Sequence, residues 1–331
     1  MMPRPELRRW LSDAAAQRAT ADSVVAVGKQ LKTLPFIRQL HREVDALSDG
    51  TADAALACAR RAMADEDGLA QVFSHMVEAA AADPYYRPIM RSVSTPLHSG
   101  IMLFDHRALN LYVSIIPAEA LAAKRLARDG SRSIVFPGHR SLHKFIRAGG
   151  ATLSFWEAPP IEAGFTSGGS GRCRLVERRR IADGELLDMH GGRQSYVIEH
   201  ASSDIVYLQA AASAGRAPLT VEYDSDSFEF VGASSTDEVS SRTQMMLALL
   251  RTMERTDAVP VMTEMLNSPH FYARWQAMRE LLALDAEAAL PHLDAMAARD
   301  PHPEVRSAAA ATLAACFPGA AEAANLVLEV N

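Results

Sequence analysis

A 32-residue echo near its end (300 − 268) constrains this 331-residue chain more than any other feature. Ser268-Pro269-His270-Phe271-Tyr272-Ala273-Arg274 reappears as Asp300-Pro301-His302-Pro303-Glu304-Val305-Arg306. Pro269, His270, Arg274, Ala277 and Leu281 meet the same residue type at Pro301, His302, Arg306, Ala309 and Leu313. Self-similarity at this period marks stacked helical hairpins, which bury apolar faces on neighbouring repeats and offer an outer surface to partners. Two hairpins are few for a free-standing solenoid, so the sequence predicts that they pack on other helices, on a β-domain or across a dimer.

The rest of the chain divides by texture. Residues 1–96 are alanine-rich and poor in β-branched runs, and predict four to six helices. Leu31, Leu34, Leu40, Val44 and Leu47 hold helical spacing, with Pro35 where a new helix can begin. Asp83-Pro84 reads as an N-cap and first turn of a short helix through Met90. From about residue 97 the period changes. Leu109, Leu111, Val113 and Ile115 alternate with polar residues, and this predicts a strand with those four on one core. One inserted helix begins at Pro117. Short strands then follow at Ser133–Phe136, Ser141–Arg147, Ala151–Trp156, Cys173–Ile181, Ser195–Glu199, Ile205–Gln209, Leu219–Tyr223 and Phe228–Val231. Ala158 to Arg172 is a long glycine- and proline-containing stretch, disordered or functional in a β-domain. Ser235-Thr236-Asp237-Glu238 fits a capping box opening residues 235–331, helical to the end.

Composition excludes several classes. A net charge of −6 argues against nucleic acid, whose phosphates call for a basic footprint. The longest apolar runs fall short of the roughly 18 residues a membrane span needs. Positive charge at the N-terminus is not followed by an apolar core, so no secretory signal is read there. Cys58, Cys173 and Cys316 are odd in number and far apart, which predicts small buried hydrophobes in a reducing, cytoplasmic setting.

Two segments resemble known families. The aspartate-proline start, Val305-Arg306 and the alanine-rich helix at Ala308–Ala311 resemble HEAT-like repeats of the phycobilin-lyase type, which implies helical hairpins and protein contact but no chemistry. Gly184-Glu185-Leu186-Leu187-Asp188-Met189-His190 and Ser203-Asp204-Ile205-Val206-Tyr207-Leu208 resemble parts of the two motifs of a degenerate cupin, spanning about 97–234. That resemblance implies an antiparallel β-barrel or jelly-roll sandwich. It departs from the family where a metal would bind. Gly192 stands in place of the second ligand histidine, Glu199 arrives late, Gln209 replaces a proline, and no histidine follows.

Two groups are candidate sites. His139 and His143 stand four apart, so a shared strand would point both imidazoles to one face. With His190 at the cupin-like position, and Glu199 or Asp188 as carboxylate, they would hold Fe, Mn or Zn. The competing reading is hydrogen-bonded or surface histidines. Arg174, Arg178 and Arg180 alternate onto one strand face that could take a phosphate, a carboxylate or an acidic partner. The competing reading is a solvated face paired with glutamates such as Glu177 and Glu185.

The fold expected is α+β and multidomain: helices over 1–96, a cupin-like antiparallel β-domain over 97–234 and HEAT-like hairpins over 235–331. The function expected is a binding or adaptor protein without a cofactor. Its repeats would dock a protein or peptide, with homo-oligomerisation open and neither nucleic acid nor membrane as partner. The alternative is a cupin-type metal-dependent oxygenase or isomerase.

Overall fold

The computed structural model describes residues 5–47, 50–126, 133–160 and 165–317. The chain forms two compact units: Met1–Pro160 with Gly171–Gly232, and Ile161–Ser170 with Ala233–Asn331.

The first unit opens with five helices, α1 (Pro5–Leu11), α2 (Ala14–Thr33), α3 (Pro35–Asp45), α4 (Ala52–Ala64) and α5 (Glu66–Ala82). Their starts follow local chemistry. The Asp13 carboxylate accepts the Ala15 and Ala16 N–H groups, Thr51 Oγ1 accepts from Ala54 and Asp65 from Gly68, while Pro35 sits in the first turn of α3. The short helix expected after Asp83 does not form. The Asp83 carboxylate instead accepts from the Tyr85 N–H at 2.8 Å and from Thr20 Oγ1. Such local bonds compete with a helix, and Pro88 comes too soon for one to propagate. No described helix is long and apolar enough to cross a membrane.

Strands follow: β1 (Ser92–Ser94), β2 (Ser99–Asp105) and β3 (Leu109–Ile116), then α6 (Ala118–Leu126), then β4 (Ser133–Phe136), β5 (Ser141–Arg147) and β6 (Thr152–Glu157). After them come β7 (Arg174–Arg180), β8 (Leu186–Met189), β9 (Gln194–His200), β10 (Ile205–Ala212), β11 (Leu219–Asp224) and β12 (Phe230–Ser235). They form a six-stranded sheet, β1-β2-β3-β10-β5-β8, and two three-stranded sheets, β12-β11-β4 and β7-β6-β9. The pairings are antiparallel, with β10 running down the middle of the large sheet against β3 (Leu208 opposite Val113) and β5 (Leu208 opposite Lys144). This is the antiparallel β-architecture the cupin-like reading expected.

The two faces of the large sheet carry different residues. Leu109, Leu111, Leu142, Leu208, Ala210 and Ala212 join Leu40, Leu56, Met63 and Val72 of the helices in one core, with Val113 packed against it. The other face sends Phe145, Leu187, Met189, Ile205 and Tyr207 toward Leu153, Phe155, Tyr196 and Ile198 of the β7-β6-β9 sheet. Side chains alternate across a strand, so β3, β5 and β10 each supply both cores. Leu109, Leu111 and Val113 thus share a core as predicted, but that core is the helical one, and Ile115 is 43% exposed.

The second unit is helical: α7 (Glu238–Thr252), one 3₁₀ turn, α8 (Val259–Met265), α9 (Phe271–Leu284), α10 (Ala286–Arg299) and α11 (Pro303–Cys316). Asp237 caps α7 by accepting from the Ser240 N–H at 2.7 Å. Leu247, Met262, Ala277, Met278, Leu281, Leu293 and Val305 form its core.

Candidate functional site

Repeat equivalence in the helical unit is visible at the level of atoms. Arg274, in the first turn of α9, donates from Nη1 to the Ser268 and Pro269 carbonyls at 3.0 and 3.3 Å. Arg306, in the first turn of α11, donates from Nη1 to the Asp300 and Pro301 carbonyls at 2.6 and 3.2 Å. Each arginine therefore ties off the turn that precedes its own helix. Arg274 does more. Its Nε and Nη2 grip both Asp300 oxygens at 2.8 and 2.6 Å, a buried bidentate pair between successive repeats. Burial works to raise the Asp300 pKa. Arg274 and the His302 N–H outweigh it and hold the carboxylate below its ordinary value.

The recurring histidines serve the same turns. His302 stacks flat on Phe271 with centroids 3.8 Å apart, and its Nε2 meets the Phe165 carbonyl at 3.2 Å. Ser167 donates from its backbone N–H and its hydroxyl to the Glu304 carboxylate. Residues 165–167 of the long Ala158–Arg172 stretch thus lie on the start of α11.

Inside the β-domain the polar groups are joined to one another. His143 on β5 is 7% exposed and points between the sheets. Its Nε2 lies 2.9 Å from Ser141 Oγ and its Nδ1 3.0 Å from the Tyr196 hydroxyl on β9. Tyr207 on β10 stacks beside it with ring centroids 6.0 Å apart, and Tyr196 meets it edge-on at 5.2 Å. Both are ordinary aromatic pairings. A second chain runs from His98 Nε2 to Ser114 Oγ at 3.0 Å, with Ser114 also bonded to the Tyr207 side chain. Gly100 leaves room for this chain, since a Cβ there would stand 2.9 Å from Ser114 Oγ. Behind them Trp156 Nε1 donates to Ser154 Oγ at 3.0 Å, and Ser154 donates to Glu199 at 2.7 Å. Burial, with His139 adding to it, pushes the His143 pKa down to about 3, so the imidazole is neutral across the ordinary pH range. Burial likewise lifts the Tyr196 and Tyr207 pKa values.

The three histidines named from the sequence do not meet as a ligand set. His143 is inside, but both its ring nitrogens face hydroxyl groups. His139 precedes β5 in a turn, so the four-apart strand rule does not act on it. His190 is exposed and lies just past the end of β8. The carboxylates are committed elsewhere. Asp188 pairs with Arg60 and Arg140 at 3.0 and 3.2 Å, while Glu199 holds Ser154 and lies 3.6 Å from Arg178. Among the described residues no three His, Cys, Asp or Glu side chains are placed to hold a metal ion.

The arginines stand on β7, the outer strand of its sheet. Arg174 pairs with Glu157 and Arg178 with Glu199, and the intervening Arg179 takes Glu177 and Glu185 at 3.1 and 2.6 Å. Arg180 is exposed beside Gly150. Two of the three candidate cations thus face carboxylates, Arg174 one on the adjacent β6 and Arg178 one on β9, and both guanidinium groups stay largely exposed. Sequence reasoning missed the Tyr196, Tyr207, Ser114 and His98 network. Its signal was there in the inward phase of β9 and β10, where Tyr196 and Tyr207 alternate in step with Ile198 and Ile205.

With this geometry in place the chain can be set beside known proteins. A family model for HEAT repeats matches residues 233–314. No curated protein matches the chain. Among solved structures, an ectoine synthase from P. lautus is 14% identical, covering 37% of this chain and 69% of that one, with a TM-score of 0.23. A DMSP lyase from Ruegeria pomeroyi DSS-3 is 10% identical over 43% of this chain, with a TM-score of 0.25, and the match spans 62% of the lyase, under two thirds of its length. A cupin domain from Bordetella pertussis Tohama I is 12% identical, covering 37% of this chain and 99% of that one, with a TM-score of 0.23. At these scores they add nothing to the sheet order already described.

Proposed function

We propose that this chain is a non-catalytic binding protein whose HEAT-like repeats dock a protein or peptide partner and whose β-domain is a structural platform without a cofactor. One observation carries the second half of this reading. His143 is held at both ring nitrogens by hydroxyl groups and is too weak a base to take a proton near neutrality. A ligand shell lacking its other members loses affinity and fixed geometry together. The first half is supported by the repeat match and by Arg306. Among the described residues nothing occupies the Nε and Nη2 of Arg306, whereas the same atoms of Arg274 grip Asp300. An acidic segment of a partner would complete that pattern.

Two measurements test it. Elemental analysis of protein made with iron, manganese and zinc present is expected to find no stoichiometric metal. One equivalent that disappears in His143→Ala overturns the platform reading and promotes an oxygenase or isomerase. A stoichiometric protein partner is expected to lose affinity at least about tenfold with Arg306→Glu, which replaces attraction with repulsion at one point. An unchanged affinity removes Arg306 from the docking surface.

A further inference from the structure

The first unit holds a cleft walled by Leu7 and Trp10 of α1 and by residues 84–88, just past α5. It encloses about 540 Å³, within the roughly 300–1,000 Å³ of small-molecule sites. Its aromatic wall is held in place. Trp10 Nε1 donates to Thr20 Oγ1 at 3.3 Å, Thr20 donates to Asp83, and Asp83 accepts the Tyr85 N–H. Trp10 and Tyr85 stack with ring centroids 4.8 Å apart. A wall fixed in this way does not have to be ordered when something binds. Two polar groups of the cleft are unspent. Tyr86 is 7% exposed, yet among the described residues its hydroxyl has no hydrogen-bond partner. A buried tyrosine hydroxyl ordinarily finds one. Burial alone raises its pKa, with no bond or charge to offset it. The hydroxyl is not sealed from solvent either, since the sealed, unpartnered side-chain atoms among the described residues belong to Arg140, Ser225 and His302. Arg87 is exposed and has no ion pair among the described residues, and the carboxylate nearest in sequence, Asp83, is spent on Thr20 and Tyr85.

From these groups we infer that the cleft is a binding site for a small, flat aromatic carboxylate. Its rings extend the Trp10–Tyr85 stack, and its oxygens take the Arg87 guanidinium and the Tyr86 hydroxyl. Each feature narrows the class. An unpaired guanidinium calls for an anion, and a carboxylate matches its fork. Stacked rings offer an apolar face to another flat ring. The fold makes no use of the Tyr86 oxygen, which leaves that oxygen free for a guest. An extended proline-rich peptide also suits aromatic grooves. Its carbonyls call for donors along the groove, however, and the Trp10 N–H is already given to Thr20. The cleft lies wholly in the first unit, so the inference does not depend on the partner-docking reading at Arg306 in the second.

Calorimetric titration of the full chain with β-naphthoate tests the site. Wild type is expected to bind it with a Kd of roughly 1 mM or tighter, the strength a guest of that size reaches at ordinary efficiency. Two probes separate charge from shape. Neutral β-naphthamide and the saturated counterpart, decahydronaphthalene carboxylate, should each bind at least about tenfold more weakly. Arg87→Ala, at an exposed position, should leave circular dichroism unchanged and weaken β-naphthoate at least about tenfold. Tyr86→Phe should weaken it at least about threefold while its melting temperature stays level or rises, because the lost oxygen bonded nothing in the folded chain. A hydroxyl that served the fold would show the opposite split. Absence of saturable binding at about 10 mM overturns the inference. So does an amide or a saturated acid that binds as tightly as β-naphthoate, or an affinity indifferent to both substitutions. A lower melting temperature in Tyr86→Phe also overturns it, since the hydroxyl would then belong to the fold.

Discussion

Removing the Asp300 carboxylate should loosen the repeat unit far more than removing an arginine from the equivalent turn. Asp300 is bidentate to Arg274, and the two side chains are 4 and 9% exposed. It also accepts the His302 N–H at 2.8 Å, at the start of α11. Taking away one partner of a buried pair costs about 3–5 kcal/mol, because the other charge stays buried. Arg274 retains two carbonyl acceptors, which places Asp300→Ala near the lower end, at about 3 kcal/mol. Arg306→Ala loses only the two carbonyl contacts of a half-exposed guanidinium and should cost about 1 kcal/mol. Native-state hydrogen exchange of α9 and α11 amides reads this difference directly. Asp300→Ala should speed exchange about a hundredfold, and Arg306→Ala by less than about tenfold. Equal effects of the two variants would refute the claim that Arg274 and Asp300 bolt one repeat to the next. The pH dependence has a definite sign. The folded carboxylate titrates below its ordinary 3.8, so its contribution is present above that value and lost as pH falls through the lower folded pKa. Wild type and Asp300→Ala should therefore converge only in strong acid.

Three further outcomes follow from burial and backbone geometry. Leu281 is fully buried. Leu281→Ala should cost about 2–5 kcal/mol in denaturant unfolding of the helical unit, and a loss under about 1 kcal/mol would remove it from the core. His143 has a folded pKa near 3 against 6.5 when unfolded, so the unfolded chain takes up the proton first. Stability therefore falls as pH drops between those values, by about 1.4 kcal/mol per pH unit. His143→Gln keeps a donor and an acceptor and should flatten that slope between pH 7 and pH 5; an unchanged slope assigns the dependence to other groups. Gly149 has φ +61°, and a Cβ there would stand 2.2 Å from the Ser203 carbonyl oxygen. Gly149→Ala should destabilise the β-domain by more than about 1 kcal/mol in thermal unfolding, and a neutral result would show that the turn can move.

Most of the fold was legible because its elements have local causes. Strands β4 to β7 and β9 to β12 were read within a few residues from alternation between turn residues, and Pro35 marked a helix start, while the capping box read at Ser235–Glu238 falls two residues early because Asp237 caps α7. Strands β2 and β8 were missed for opposite reasons. Residues 100–104 of β2 form a nearly continuous apolar run with no alternation to detect, since a bulge shifts its register between Met102 and Phe104. Strand β8, Leu186–Met189, is too short to show a period. The candidate site was legible only as a set of residue types. Sequence spacing named His139, His143 and His190, but which imidazole faces inward depends on where the turn before β5 ends and on where β8 ends. Hydroxyl partners such as Tyr196 and Ser114 are brought to His143 and His98 by strand pairing between distant segments, which no local pattern encodes. The same holds for the core that Leu109 and Leu111 join, since alternation identifies a buried face without saying what buries it.

That shared core has a consequence for how the chain is made. The helices α3 to α5 leave the ribosome long before the strands that cover them. Their buried face closes on Leu208, Ala210 and Ala212, which are synthesised far downstream of Met76, the last large core residue of α5. At translation speeds of about 5–20 residues per second, Leu40, Leu56, Met63 and Val72 wait roughly 7–27 s or more for the sheet that seals them. Through that interval the helical face lacks the native neighbours that complete it, so the first unit can close its core only after β10 has been made.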